Sequence, residues 1–76
     1  MKINKLFADI TGMPDAESER AKQRAMAALL AEEGYPVEVA TVRSWALRDN
    51  IPTPWLMHML KAAESRGKTV NLTDYN

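Results

Sequence analysis

The sequence contains no cysteine and a single histidine, and each shortage excludes a kind of site. Without cysteine the chain forms neither a disulfide bond nor a thiolate metal site. His58 alone builds no metal centre unless several carboxylates converge on it. The lack of cysteine also fits a cytosolic protein, because disulfides are rare in that compartment.

Long apolar runs are missing as well. No segment approaches the ~20 apolar residues that a membrane-spanning helix needs. The first ten residues are basic and then apolar, but Asp9 interrupts them too early for a signal peptide. With 76 residues the chain is long enough for one small domain, residues 1–76. We therefore expect a single-domain protein of the cytoplasm.

Catalytic and nucleotide-binding motifs are also lacking. The serines at positions 18, 44 and 65 have no GxSxG surroundings, and there is no glycine-rich phosphate loop, HExxH or calcium loop. His58 follows Met57 within an apolar run, where a packed or surface histidine is the ordinary interpretation. Glu32 and Glu33 are interpreted as the solvated end of a helix. We expect no enzymatic activity and no cofactor.

Charge is balanced overall but unevenly distributed along the chain. The formal net charge is zero. Residues 9–38 hold seven acidic against three basic side chains, whereas residues 39–76 hold five basic against three acidic ones. Lys2 and Lys5 supply the remaining positive charge. One acidic and one weakly basic surface fits a protein that faces DNA on one side, and a solvated globule equally.

Apolar spacing predicts four helices. Ile3, Leu6, Phe7 and Ile10 recur at i, i+3, i+4 and i+7, one stripe of an amphipathic helix. The same analysis, with glycine and proline as stops, places helices at about 2–10, 15–33, 37–49 and 54–66, and a tail at 67–76. In this tail the apolar Val70 and Leu72 alternate with polar residues. This pattern is compatible with a short edge strand or with an ordered tail, and both alternatives stay open.

Capping chemistry sets the predicted boundaries. Asp15 is expected to cap the second helix, and Thr53 followed by Pro54 to start the fourth. Pro36 suits the first turn of the third helix, where its missing N–H is no loss. Asn50 is expected to close that helix in a left-handed conformation.

These elements predict an all-α, compact four-helix domain. The second and third helices are expected to form a helix-turn-helix that the fourth helix closes. The residues expected in the core are Leu6, Phe7, Ile10, Leu29, Val42, Trp45, Ile51, Leu56 and Leu60.

The third predicted helix carries the candidate binding residues. With Val42 facing the core, its outer side holds Thr41, Arg43, Ser44 and Arg48. An arginine reads guanine with two hydrogen bonds, and serine or threonine bonds a base edge or a phosphate. The same residues are ordinary on any solvated helix, so that alternative stays open. Trp45 and Trp55 are interpreted as core and anchor residues rather than base-stacking platforms.

A resemblance favours the binding interpretation. The segment TVRSWALRDNIPTPWLMHMLKAAESRG resembles small phage-type helix-turn-helix proteins related to Cro and phage repressors. The likeness covers about the last half of the chain. It rests on the following residues: Val42, Trp45, Ile51, Pro52, Ala62, Ala63, Arg66 and Gly67. The connection EEGYPVEVATV is about two residues longer than the turn usual in such proteins, and the helix before it is unusually long.

The resemblance implies sequence-specific binding of double-stranded DNA by a phage-derived transcriptional regulator, often a homodimer on paired half-sites. Thr41, Arg43 and Ser44 are then candidates for base edges. Arg48, Lys61 and Lys68 are candidates for phosphate contacts, which position the protein without specifying sequence.

Two alternatives remain. TVRSWALRDNIP is also similar to the recognition element of excisionase and related winged-helix regulators, although a helical segment follows here in place of a β-hairpin wing. A different class is a protein-interaction module that binds no DNA, such as an antitoxin-like or regulatory partner, because the second and fourth helices carry many leucine and methionine residues.

Overall fold

The computed structural model describes all 76 residues as four α-helices and one C-terminal turn of 3-10 helix. The elements are α1 (Ile3–Thr11), α2 (Glu19–Glu32), α3 (Val39–Arg48), α4 (Thr53–Ser65) and the 3-10 helix (Leu72–Tyr75). The predicted all-α four-helix domain is therefore confirmed. The edge strand considered for Val70 and Leu72 is wrong, since the tail forms a 3-10 helix. Every helix is too short or too polar to cross a membrane.

Helix α2 begins later than the sequence predicts. Ser18, not Asp15, is its cap, and the Ser18 hydroxyl accepts a hydrogen bond from the backbone N–H of Ala21 at 3.1 Å. Asp15 lies in the preceding turn, where its backbone carbonyl accepts a hydrogen bond of 2.9 Å from Lys22 Nζ. Both residue types cap helices well, so the sequence alone does not choose between Asp15 and Ser18.

Helix α3 is shorter at both ends than predicted. It begins at Val39 rather than at 37, so Pro36 precedes the helix, and residues 33–38 form the connection to α2. Tyr35 and Val37 pack against the core from this connection. At the other end Asp49, not Asn50, takes the left-handed conformation (φ 51°) and ends the helix.

The core is built from all four helices, the Ile51 corner and the C-terminal tyrosine. Of the nine residues predicted to be buried, seven are buried, whereas Leu56 and Leu60 are half-buried. Met59, Ala62 and Ala63 face the core in their place. Helix α4 is apolar on most of its surface, so its own sequence leaves the inward side undetermined. Packing against α1 and α2 selects that side.

Polar contacts fix the arrangement of the helices. Asn4 in α1 donates to Glu19 at 2.8 Å and accepts from Gln23 at 3.2 Å, which joins α1 to the first half of α2. The guanidinium of Arg66 lies 2.8 Å from Glu32 and 3.5 Å from Glu33, which joins the ends of α2 and α4. The outer side of α3 is largely uncovered: Thr41, Arg43 and Arg48 are exposed there, and Ser44 is half-buried.

Candidate functional site

An open cleft of about 720 Å³ lies between α2 and the outer side of α3. We call it the α2–α3 cleft. Four residues of α2 and four of α3 line it: Glu19, Arg20, Gln23, Arg24, Val39, Ala40, Arg43 and Leu47. On each helix these positions repeat at three- or four-residue spacing, which places them on one side of the helix. The cleft is therefore formed by two facing helix surfaces.

Three guanidinium groups dominate the charge of the cleft. Arg20, Arg24 and Arg43 are exposed, and none of them forms an ion pair or a side-chain hydrogen bond within the protein. The one acid of the lining, Glu19, accepts a hydrogen bond from Asn4. Unpaired guanidinium groups offer planar pairs of N–H donors, which match phosphate and carboxylate oxygens. The cleft is thus suited to an anion.

Several acids of the protein form ion pairs away from the cleft. Asp9 and Asp15 lie 3.8 and 3.7 Å from Lys5 Nζ, and Glu32 and Glu33 contact Arg66. The 9–38 segment is acidic by count, but its two arginines line the cleft with Arg43, and of its seven acids only Glu19 lines the cleft with them. The charge of the cleft is set by which face of α2 each side chain occupies.

The floor of the cleft is held by a short hydrogen-bonded chain. Gln23 is only 7% exposed, and its Nε2 donates to Asn4 Oδ1. Asn4 also donates to Glu19, so one α1 side chain fixes two positions of α2 that line the cleft. These hydrogen bonds attach to α1 the first half of α2, which carries Arg20 and Arg24.

The predicted DNA-contacting residues of α3, three for base edges and Arg48 for a phosphate, do not share one surface. Arg43 lines the α2–α3 cleft, whereas Thr41 and Arg48 are exposed outside it and Ser44 is half-buried. Residues two apart on a helix are separated by about 200°, so Thr41 and Arg43 lie on opposite flanks of α3. Helix α3 therefore presents two polar flanks, of which only the Arg43 flank faces other cations of the protein.

The two lysines predicted to contact phosphates are exposed, and neither lines the α2–α3 cleft. Lys61 is on α4, and Lys68 lies beside Gly12 at the C-terminal end of α1. The end of α3 is at the opposite end of α1, where the Met1 amino group lies 3.0 Å from Asp49. The nine residues of α1 span about 13 Å, so Lys68 and the end of α3 lie at separate ends of the domain.

Arg20 and Arg24 are the cleft residues that sequence reasoning missed. The sequence analysis counted charge over the whole 9–38 segment, where seven acids outnumber the bases, and so gave these two arginines no role. Their spacing was the available signal, because two arginines at i and i+4 lie on the same face of a helix.

A group of aromatic rings lies outside the cleft. His58 stacks on Tyr35 with ring centroids 3.9 Å apart, and Trp55 meets His58 edge-on at 5.5 Å. Trp55 also packs at 5.5 Å from Trp45, so these indoles join α4 to α3, as the sequence predicted. No three side chains of His, Asp or Glu come close enough together to hold a metal ion.

Comparisons with known proteins identify no relative. No family model matches the chain, and neither the curated proteins nor the solved structures contain a significant match.

Proposed function

We propose that the protein is a sequence-specific, double-stranded DNA-binding transcriptional regulator that acts by binding and not by catalysis. The observation that supports this function best is the α2–α3 cleft. There Arg20, Arg24 and Arg43 point unpaired guanidinium groups into solvent beside the uncovered side of α3. DNA offers a ligand of matching chemistry, a regular row of phosphates flanking the hydrogen-bonding edges of the bases.

The dimensions of α3 suit the major groove. Its ten residues extend about 15 Å, and a helix with side chains is about as wide as the groove, which measures about 12 Å. With α3 in the groove, we expect Arg43 to bind a guanine, and Arg20 and Arg24 of α2 to bind phosphates of the adjoining strand. Thr41 and Arg48 then face the other wall of the groove.

Two copies are expected to act together. A single module of this size contacts few base pairs, and a homodimer on two half-sites about 34 Å apart doubles the sequence that is read. The resemblance to phage repressors supports this arrangement, a phage origin and a cytoplasmic location. Lys61 and Lys68, which lie away from the cleft, have a phosphate role only if the DNA bends around the domain or a second duplex segment contacts it.

Selection from a random duplex pool tests the proposal. We expect repeated selection at low salt to return a sequence motif. Binding of the selected duplex should weaken as salt rises, with a slope of log K against log[salt] of about −0.9 per neutralised phosphate. Arg20 and Arg24, the two phosphate contacts from the cleft, contribute a slope of about −1.8 per copy.

A folded protein that enriches no motif and binds no duplex at low salt would overturn the proposal. The remaining candidate is then a protein-interaction module, for which the exposed apolar side chains of Leu47 and Met57 are the supporting observation. Such a partner, held by apolar contact, should bind almost equally well at low and high salt.

A further inference from the structure

We propose that the outer side of α3 reads thymine methyl groups next to a guanine, with Leu47 contacting the methyl and Arg43 the guanine. This inference rests on the proposed function and deepens it, because it names the chemistry of the bases that the cleft selects. It concerns a residue to which the sequence alone gave no role.

Leu47 is the observation behind the inference. Its side chain is 73% exposed, more than any other large apolar side chain of the domain. Val39, at 39%, is another exposed apolar side chain, and both line the α2–α3 cleft. Val39, Arg43 and Leu47 are spaced four residues apart, so the arginine stands between two apolar side chains on one stripe of the helix.

The major groove offers a partner for each part of this stripe. Guanine presents two acceptors, O6 and N7, which an arginine binds together. Thymine is the base that presents an apolar group there, its 5-methyl, and apolar side chains pack against it. An apolar side chain one turn from an arginine is therefore complementary to a guanine near a thymine.

The spacing along α3 fits this assignment. Arg43 and Leu47 are separated by about 6 Å along the helix axis. Successive bases on a strand are about 3.4 Å apart, so Leu47 reaches bases within about two steps of the one that Arg43 contacts. Ala40, exposed and one turn to the other side of Arg43, leaves room for a second methyl group.

The charge of the cleft favours DNA as the occupant over a second protein. Leu47 alone would suit an apolar protein surface, but the unpaired Arg20 and Arg24 that line the same cleft suit two phosphate groups. A duplex supplies phosphates on both sides of its exposed methyl groups.

The test removes methyl groups from the DNA. Each thymine of the selected duplex is replaced in turn by deoxyuridine, which lacks only the 5-methyl, and affinity is measured for the wild type and for Leu47→Ala. We expect one or two positions, within two base pairs of a guanine, where the replacement weakens wild-type binding about fourfold, the effect of one buried methyl. Leu47→Ala should be insensitive there.

Met57→Ala is the matched control. Met57 is also an exposed apolar residue of a helix, at 54%, but it lies outside the cleft, so this variant should keep the wild-type sensitivity. Wild-type binding that ignores every deoxyuridine, or a Leu47→Ala variant as sensitive as the wild type, overturns the inference and leaves DNA binding intact. Failure of the wild type to bind any duplex overturns both.

Discussion

The hydroxyl group of Tyr75 donates a hydrogen bond to the carboxylate of Asp9, across 66 positions of the chain. The backbone N–H of Lys2 also donates to the carbonyl of Tyr75. Together these bonds attach the C-terminal 3-10 helix to α1. Burial of the phenol, followed by its hydrogen bond to Asp9 and the nearby negative charges, raises the pKa of Tyr75 to about 12.

The raised pKa predicts a loss of stability at alkaline pH. The fold favours the neutral phenol, so the contribution of Tyr75 is fully present below its ordinary pKa of 10.0 and is lost as pH rises towards 12. Two pKa units correspond to at most about 3 kcal/mol. Denaturant unfolding at several pH values from about 9 to about 12 measures the loss.

Tyr75→Phe supplies the comparison, because it keeps the ring and removes the titrating group. Its stability should decline less than that of the wild type over the same pH range. Tyr35→Phe is the control and should follow the wild type. Parallel curves for wild type and Tyr75→Phe would show that ionisation of Tyr75 is not coupled to unfolding.

Ser18→Ala should destabilise the protein by about 1 kcal/mol, because the hydroxyl that caps α2 is removed. Asp15→Ala is the matched change at the position that the sequence favoured. This variant keeps the hydrogen bond between the backbone carbonyl of residue 15 and Lys22. It loses only the exposed ion pair between Asp15 and Lys5, which is a weak interaction. Urea unfolding of both variants compares them. A larger loss for Asp15→Ala would place the cap at Asp15.

Met59→Ala should cost about 2–5 kcal/mol, since Met59 is fully buried and its truncation leaves a cavity. Met57→Ala, two positions away on the same helix, should change stability by less than about 0.5 kcal/mol because Met57 is exposed. Thermal or denaturant unfolding distinguishes the two. Equal effects would mean that α4 is rotated relative to the orientation described above.

Arg43→Ala and Arg24→Ala should weaken DNA binding in different ways. Loss of Arg43 should relax the preference at one base position, with a loss of about 1–3 kcal/mol for the selected site. Loss of Arg24 should weaken all sequences about equally and reduce the magnitude of the salt slope by about 0.9. Competition binding with selected and random duplexes measures both. An equal loss on both duplexes for Arg43→Ala would make Arg43 a phosphate contact.

Local pattern was enough to predict the helices. The stripe of α1 and the corner at Ile51 and Pro52 carry their own signals, and the structure agrees with them. Boundaries were harder where two residues compete for one role, as Asp15 and Ser18 do for the cap of α2. The structure has Ser18 as the cap, and Asp15 instead accepts a hydrogen bond from Lys22 of the same helix through its backbone carbonyl.

Tertiary partners explain the rest of what the sequence did not predict. The conformation of the C-terminal tail could not be predicted because it depends on Tyr75. This residue is buried and bonded to Asp9 of α1, and no local pattern specifies that contact. The cleft was only partly predicted for a similar reason. Arg43 was identified from α3 alone, whereas Arg20 and Arg24 gain their significance from the packing of α2 beside α3.

The contact between Trp45 and Trp55 provides an optical probe of α3. These are the two tryptophans of the chain, their rings lie 5.5 Å apart on different helices, and neither lines the cleft. Near-ultraviolet circular dichroism depends on fixed packing of such rings. A spectrum unchanged when a ligand fills the cleft would therefore mean rigid-body recognition, and a changed one would mean that α3 moves relative to α4 on binding.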